Sequence, residues 1–265
     1  MPVRVERSSR VLTVIHSRPE ARNAVDPEHA EALYEAFLIF DKDNTADVAV
    51  FWGEGGAFCA GADLKRVATR DNKKMRGALD FPNDGGAIPR GPMGPSRLEL
   101  SKPVIAAIEG PAVAGGMELA LWADCRVMAQ DAYMGVYCRR WGVPLIDGGT
   151  VRLPRIVGQG RALEIIMTGR KVEAEECLRI GLCEKVVPKG QARKAAEEMA
   201  QEIARFPQAC VRADRRSVYL QQGRTTRAAL EREWVNGIGV VELEGVAGAG
   251  RFAKGAGRHG DFGIE

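Results

Sequence analysis

The stretch GGAFCAGADL, residues 55–64, decides how this chain folds. It follows the apolar run VAVFW at residues 48–52, which is typical of a buried strand. The small residues at 60–62 let a ligand approach the main chain closely, so that backbone N–H groups can donate to it. A buried strand that ends in such a turn predicts a binding site at the end of the strand, and the strand-like and helical runs that alternate to about residue 187 predict an α/β fold.

A second stretch, GPAVAGGMEL at residues 110–119, has the same organisation. It follows the strand-like run VIAAI at residues 104–108, and its two glycines begin a predicted buried helix over residues 117–123. A helix start offers unpaired N–H donors and the positive end of the helix dipole, and both favour a developing oxyanion. Glu118 lies one turn into this helix, where it can move protons. The two stretches are therefore predicted to form two halves of one oxyanion site.

With RPEARNA at residues 18–24, these stretches resemble the crotonase superfamily, the enoyl-CoA hydratase/isomerase family. Further landmarks follow in family order over nearly the whole chain, at residues 148–154, 162–169 and 174–182. The resemblance implies an α/β fold, a crotonase-type spiral of β-β-α repeats that carries the CoA and oxyanion site in residues 1–190. It also implies a C-terminal helical region for trimerisation in residues 191–265.

The local patterns fit this organisation. Residues 10–16 alternate as a strand does, and Asp26-Pro27 predicts the N-cap and first residue of a helix that reaches about Phe40. Helices are predicted at residues 195–206, 209–220 and 227–247. Residues 71–95 are rich in glycine and proline and predict a mobile loop, either a lid that shapes acyl specificity or an ordinary surface loop.

Composition narrows the functional class. The 265 residues include 38 basic and 35 acidic side chains, a net charge of +3, and no long basic stripe. We therefore expect no nucleic-acid partner. No apolar run approaches the ~20 residues needed to span a bilayer, which predicts a cytoplasmic protein without a membrane anchor. The six cysteines form no Cys-x-x-Cys pair, so neither a disulfide framework nor a metal site is expected.

The resemblance assigns roles to individual residues. It implies that the N–H groups of Ala60 and Gly115 stabilise the thioester oxyanion and that Glu118 matches the first of the two glutamates of the hydratases. Burial among apolar neighbours should raise the pKa of Glu118 and suit it to proton transfer near neutral pH. The alternative is a helix N-terminal glutamate that only interacts with the helix dipole.

The second glutamate is missing. A gapless alignment to the family landmarks places Cys138 there, and a thiol with a pKa of about 8.5 is a poor substitute for a carboxylate. Asp147 is the nearest candidate for the second carboxylate, although it could equally cap the helix that follows it. Tyr137 and Trp141 crowd the same turn and are candidates for the acyl pocket.

The predicted substrate is an acyl-CoA, with no separate cofactor and no metal, because the coenzyme A enters as part of the substrate. The residues expected to bind it are Arg22, Ala24, Ala60, Gly61, Ala62, Asp63, Leu64, Gly115, Tyr137, Cys138 and Trp141. The predicted activity is that of an enoyl-CoA hydratase in a homo-trimer or a dimer of trimers. The alternatives are an isomerase, a decarboxylase, a thioester hydrolase, or a catalytically silent CoA-binding relative.

Overall fold

The computed structural model of the chain describes residues 2–69 and 71–257, and only the main chain of residue 72. The part of the predicted C-terminal region beyond residue 257 lies outside the described residues. The strands are β1 Val3–Ser8, β2 Val11–His16, β3 Val48–Gly53, β4 Val104–Ile108, β5 Pro111–Val113, β6 Cys125–Ala129, β7 Tyr133–Gly135, β8 Val172–Glu173 and β9 Lys185–Val187.

The helices connect these strands and then form the C-terminal part of the chain. They are α1 Pro27–Lys42, α2 Leu64–Thr69, α3 Asn72–Leu79, α4 Gly115–Trp122, α5 Gly149–Val157, α6 Gln159–Thr168, α7 Ala174–Arg179, α8 Ala192–Ala204, α9 Gln208–Leu220, α10 Thr226–Val240 and α11 Val246–Ala253. A π-helical turn, Val241–Gly245, joins the last two, and short 3₁₀ helices lie at Pro19–Ala21, Pro95–Arg97 and Tyr137–Trp141.

The main sheet has the strand order β1-β2-β3-β4-β6-β9. Only the β1–β2 pair is antiparallel within this sheet, and the other neighbours run parallel. A smaller sheet has the order β5-β7-β8. Strands β2 and β4 are buried along their whole length, and β4, which has parallel neighbours on both sides, has a continuous apolar sequence. The predicted α/β class is confirmed, and α8 packs along the central strands of the main sheet.

Helix α1 begins where the sequence predicts. The Asp26 side chain accepts a hydrogen bond from the N–H of His29 at 2.8 Å, with Pro27 as the first helical residue. At the other end of α1, the buried Lys102 donates from Nζ to the carbonyl oxygens of Phe40 and Asp43, at 2.8 and 2.7 Å. Both ends of the helix are therefore held by side chains that satisfy free backbone groups.

A group of aromatic rings connects the sheet to the helix that carries Glu118. Phe37 of α1 packs edge-on against Phe51 of β3, with ring centroids 5.3 Å apart, and against Trp122 of α4, at 4.8 Å. Phe51 also packs against Phe58, at 5.2 Å. Since Phe58 belongs to the first glycine-bearing stretch and Trp122 to the helix of the second, this core fixes one stretch relative to the other.

The prediction of a loop over residues 71–95 is wrong for its first third, where α3 forms at Asn72–Leu79. Asp71 caps this helix by accepting from the N–H groups of Lys73 and Lys74, at 2.9 and 3.1 Å. The helix lies on the surface and lacks an apolar stripe, so hydrophobic periodicity gave no signal for it. The predicted C-terminal helices are confirmed, except that the π turn interrupts the last one. No helix in the described part of the chain is long and apolar enough to cross a bilayer.

Candidate active site

The two glycine-bearing stretches meet, as the sequence predicts. Cys59 pairs with Ala112 in a parallel bridge that joins the ends of the two segments. A Cβ added to Gly61 would lie 3.0 Å from the nitrogen of Gly115, and one added to Gly116 would lie 2.1 Å from the carbonyl oxygen of Cys59. Glycine is therefore required at residue 116 because any side chain there would separate the two stretches.

The N–H of Gly115 is free to donate to a ligand. Gly115 is the first residue of α4, so its N–H has no partner within the helix. It makes no hydrogen bond to any residue that the structure describes. The predicted position of this donor is thus consistent with the geometry, at the positive end of a buried helix.

The assignment of Ala60 as the second donor is corrected by the structure. Its N–H already donates to the carbonyl oxygen of Arg22, at 3.0 Å. Ala62 is the better candidate. Val25 bonds the residues on either side of Ala62, with its N–H donating to Gly61 at 2.8 Å and its carbonyl accepting from Asp63 at 2.9 Å. In a parallel pair this leaves the N–H of Ala62 pointing away from Val25, and it has no partner within the described ranges.

Glu118 is a buried carboxyl with one oxygen held in place. Only 3% of the residue is exposed, and Oε1 accepts hydrogen bonds from the N–H groups of Asp147 and Gly149, at 2.9 and 2.8 Å. Burial, and then the negative charge of Asp147, raise the pKa of Glu118 to about 7, and the two N–H bonds oppose this rise only in part. A carboxyl with this pKa can both accept and deliver a proton near neutral pH.

Asp147 lies beside Glu118 and is equally buried. Its Oδ1 accepts from the N–H of Met93 at 2.9 Å and from the hydroxyl of Ser96. Burial raises the pKa of Asp147, and these hydrogen bonds act against the rise. Asp147 does not cap α5, because the N-cap is Gly148 and no side chain bonds there. The capping alternative is therefore wrong, and the carboxylate instead connects the loop of residues 91–97 to the site.

Each of the two carboxyls forms its hydrogen bonds through one oxygen. Neither Oε2 of Glu118 nor Oδ2 of Asp147 has a hydrogen-bond partner among residues 2–69 and 71–257. Arg152 lies close to both but bonds only main-chain oxygens, those of Asp147 at 3.0 Å and Ser96 at 2.7 Å. One oxygen of each carboxyl is therefore unpaired among the described residues.

The turn that carries Cys138 lies close to Glu118. Cys138 is buried, and burial followed by the negative charge of Glu118 raises the pKa of its thiol, which favours the protonated form. The ring of Tyr137 stacks under the guanidinium of Arg140 at 3.8 Å. Trp141 is 70% exposed.

Asn23 and Arg18 hold the predicted CoA-binding edge in place, although the sequence analysis did not assign them to the site. Asn23 is buried between Arg22 and Ala24, and its Nδ2 donates to the carbonyl oxygens of Glu54 and Ala57, both at 2.7 Å. Arg18 donates to the carbonyl of Ala24 at 2.7 Å.

Arg18 also bonds the carboxylate of Asp63, at 3.1 Å, which gives Asp63 a structural role at this edge. Arg22 and Leu64 are exposed and Ala24 is half-buried, so a ligand could reach the edge from solvent. Arg22 and Asn23 form a tight turn with left-handed φ angles of 51° and 59°. Asparagine is common at such angles, and it is the one residue of the turn that could have indicated them in the sequence.

The fold and the site together define a class of enzyme that binds a developing oxyanion between two backbone N–H groups and moves protons with a buried carboxyl. A sequence model of the family described as enoyl-CoA hydratase/isomerase matches residues 6–236. The chain belongs to this family.

Individual relatives agree in sequence and in structure. The enoyl-CoA hydratase EchA19 of Mycobacterium tuberculosis is 35% identical over 221 residues, which cover 81% of this chain and 79% of the relative. The carnitinyl-CoA dehydratase of Salmonella typhi is 37% identical over 199 residues, 74% of this chain and 72% of the relative. The crystal structure of enoyl-CoA hydratase EchA1 from Mycobacterium marinum matches with a TM-score of 0.85 at 30% identity, covering 96% of both chains.

Proposed function

We propose that this protein adds water reversibly to the double bond of a 2-enoyl-CoA thioester, as an enoyl-CoA hydratase. The observation that carries the proposal is Glu118, a buried carboxyl with a pKa of about 7, one turn from the free N–H of Gly115. Hydration needs a proton acceptor and an oxyanion site within one substrate length of each other, and α4 supplies both. Family membership and the relatives' names support the same reaction.

The thioester oxygen binds between the N–H groups of Gly115 and Ala62 in this proposal. Attack of water at the β carbon pushes an electron pair onto the thioester oxygen and forms an enolate. Two donors in a buried site stabilise that charge, and loss of one such donor typically lowers the rate by about 100- to 1,000-fold. Ala62 is proposed as the second oxyanion donor instead of Ala60, because the N–H of Ala60 already donates to the carbonyl oxygen of Arg22.

Proton transfer is assigned to the two carboxyls. Glu118, through its free Oε2, takes a proton from the attacking water as the oxygen bonds to the β carbon. Glu118 then delivers this proton to the α carbon as the enolate collapses to the 3-hydroxyacyl thioester, so the net change is the addition of one water and Glu118 is restored. Asp147, through its free Oδ2, is proposed as the second carboxylate in place of the glutamate that Cys138 replaces. This chemistry requires no cofactor apart from the CoA of the substrate.

The CoA moiety is proposed to lie along the edge formed by Arg22, Ala24 and residues 60–64. The exposed side chains of Arg22, Lys65 and Arg66 supply positive charge for the phosphates. An arginine bonded to a phosphate through two N–H groups gives a stronger contact than a lysine, so Arg22 is the residue of this edge to test first.

A double-bond isomerase is the second candidate, and Cys138 is the observation that favours it. A single carboxyl can carry a proton from one carbon of an enoyl-CoA to another, whereas hydration is usually served by two. If Asp147 acts only through Oδ1 as an anchor, Glu118 is the one carboxyl left for chemistry. The enolate and the oxyanion site are the same in both reactions, so only the product distinguishes them.

The test is conversion of crotonyl-CoA and a series of longer 2-enoyl-CoAs, followed by loss of the enoyl absorbance and by product mass. The wild type is compared with Glu118→Gln and Asp147→Asn. We expect hydration that both substitutions reduce at least 100-fold. Hydration that survives Asp147→Asn would limit chemistry to Glu118. A wild type that shifts the double bond of a 3-enoyl-CoA but adds no water would establish the isomerase instead.

We also propose that the chain assembles as a homo-trimer or a dimer of trimers in the cytoplasm. Large apolar residues are exposed along the last helices of the isolated chain, among them Leu230, Trp234 and Phe252, at 59%, 67% and 63% exposure. Several large apolar residues exposed on one segment support self-association. All six cysteines are free, as is usual in a reducing compartment. Light scattering of the wild type and of Trp234→Glu tests the assembly, and we expect the variant to dissociate.

A further inference from the structure

The loop of residues 91–97 is fastened to the active site by a network centred on one serine. Ser96 is 1% exposed, and its hydroxyl donates to Oδ1 of Asp147. Its carbonyl oxygen accepts from Nη2 of Arg152 at 2.7 Å, and Nη1 of the same guanidinium donates to the carbonyl of Asp147 at 3.0 Å. Two connections, one through the hydroxyl and one through the guanidinium, thus hold Ser96 and Asp147 together.

The same hydrogen bonds connect Ser96 to the acid/base Glu118 and to the start of α4 at Gly115. The main-chain N–H of Asp147 holds Oε1 of Glu118, so the position of Asp147 sets the position of the acid/base. Oδ1 of Asp147 also accepts from the N–H of Met93. The Met93 thioether lies over Gly115, since a Cβ added to that glycine would be 2.8 Å from the sulfur. Met93 therefore packs against the first residue of α4, and Asp147 holds the main chain of Met93.

The neighbouring residue extends the network to the surface segment of residues 72–90. Arg97 donates from Nη1 to the carbonyl oxygen of Leu79, at 2.6 Å, at the C-terminal end of α3. Its guanidinium lies 4.4 Å from the centre of the Phe81 ring. Arg97 and Ser96 are adjacent in one short 3₁₀ helix, so the contact with the end of α3 and the hydrogen bond to Asp147 are made by neighbouring residues.

We infer that Ser96 is a positioning residue for the proposed hydration, fixing Asp147 through its hydroxyl and tying residues 72–90 to the two carboxyls through Arg97. The inference rests on the proposed function for its catalytic readout. Gly91 supports it independently, because a Cβ at this residue would lie 1.8 Å from Oγ of Ser96 and 2.9 Å from Oδ1 of Asp147. The loop is thus built so that nothing separates the hydroxyl from the carboxylate.

Two substitutions break this bond by different routes. Ser96→Ala removes the hydroxyl, and Gly91→Ala displaces it without changing Ser96 or Asp147. Ser101→Ala is the matched control. It also removes a serine hydroxyl that is bonded to an aspartate, Asp41 at 2.8 Å, but this hydrogen bond is exposed and lies five residues further along the chain.

The first readout is kinetic. We expect both test variants to lower kcat/KM by about 10- to 100-fold, mainly through kcat, as small misplacements of catalytic groups do. The Ser96 hydroxyl bond lowers the pKa of Asp147, so the acidic limb of the pH profile should move to higher pH in both variants. Ser101→Ala should leave the profile unchanged. A variant pair with the wild-type pH profile would overturn the positioning role.

The second readout needs no activity. Amide hydrogen exchange of residues 72–97 should become at least 10-fold faster in Ser96→Ala and Gly91→Ala, and not in Ser101→Ala, because the segment loses its anchor. Unchanged exchange there would overturn the connection to residues 72–90. Failure of the proposed function would show separately, as a wild type that hydrates no enoyl-CoA while the exchange comparison still gives its answer.

Discussion

Replacing Glu118 with glutamine should abolish hydration and, above neutral pH, make the protein more stable. The substitution keeps the shape of the side chain, and the amide oxygen can still accept from the N–H groups of Asp147 and Gly149. What it removes is a buried group that must ionise. We expect the rate to fall by about 100- to 10,000-fold, the usual contribution of a general acid or base.

The size of the stability gain follows from the pKa of Glu118. Burial raises this pKa from 4.5 to about 7 in the folded protein. The unfolded chain therefore ionises first as the pH rises, and the wild type loses stability between about pH 4.5 and pH 7. At ~1.4 kcal/mol per pH unit, the loss amounts to about 3 kcal/mol above pH 7. Glutamine carries no charge, so the variant escapes this loss.

Urea unfolding at pH 5 and pH 8 measures the effect, with the wild type and Glu118→Gln compared at each pH. The difference between the two proteins should grow by about 2 to 3 kcal/mol from pH 5 to pH 8. Glu198→Gln is the control, because this glutamate is 61% exposed and its replacement should change little. A Glu118→Gln protein that gains no stability at pH 8 would refute the reasoning that burial raises the pKa.

Three further predictions concern the frame of the site. Gly116→Ala should prevent folding or abolish activity, because its Cβ would lie 2.1 Å from the carbonyl oxygen of Cys59; circular dichroism and the hydration assay measure both. Lys102→Ala should cost about 2 to 3 kcal/mol in urea unfolding, since it leaves buried carbonyls unpaired. Burial lowers the pKa of His16 and His29 to about 3 and 4, so the unfolded chain binds more protons below about pH 6.5. Each of the two histidines should therefore lower the free energy of unfolding by about 2 kcal/mol between pH 6.5 and pH 5. Urea unfolding at the two pH values should show a smaller loss for His16→Leu.

Local sequence patterns predicted the elements that carry the site, because each pattern lies within one element. The strand-turn-helix order around Gly115 needs no information from elsewhere in the chain, and neither does the Asp26 cap of α1. Helix α3 was missed because an exposed helix has no apolar face to reveal it. The identity of the family came from motifs in order along the chain, and the comparisons confirm it.

The details of hydrogen bonding could not be predicted, because they depend on distant residues. Whether Ala60 or Ala62 has a free N–H is decided by pairing with residues 22–25, more than one element away. Asp147 bonds Met93 and Ser96, 54 and 51 residues earlier in the chain. No local pattern distinguishes an aspartate with such partners from a helix cap, so its role became visible only in three dimensions.

The most direct test of the central claim follows the proton itself. Crotonyl-CoA, or the chain length that reacts best, is incubated with the protein in D₂O, and deuterium in the product is located by mass spectrometry and NMR. We predict one deuterium at the α carbon of a 3-hydroxyacyl-CoA, formed at least 100-fold more slowly by Glu118→Gln. A wild type that places no deuterium at the α carbon of any enoyl-CoA would contradict the account.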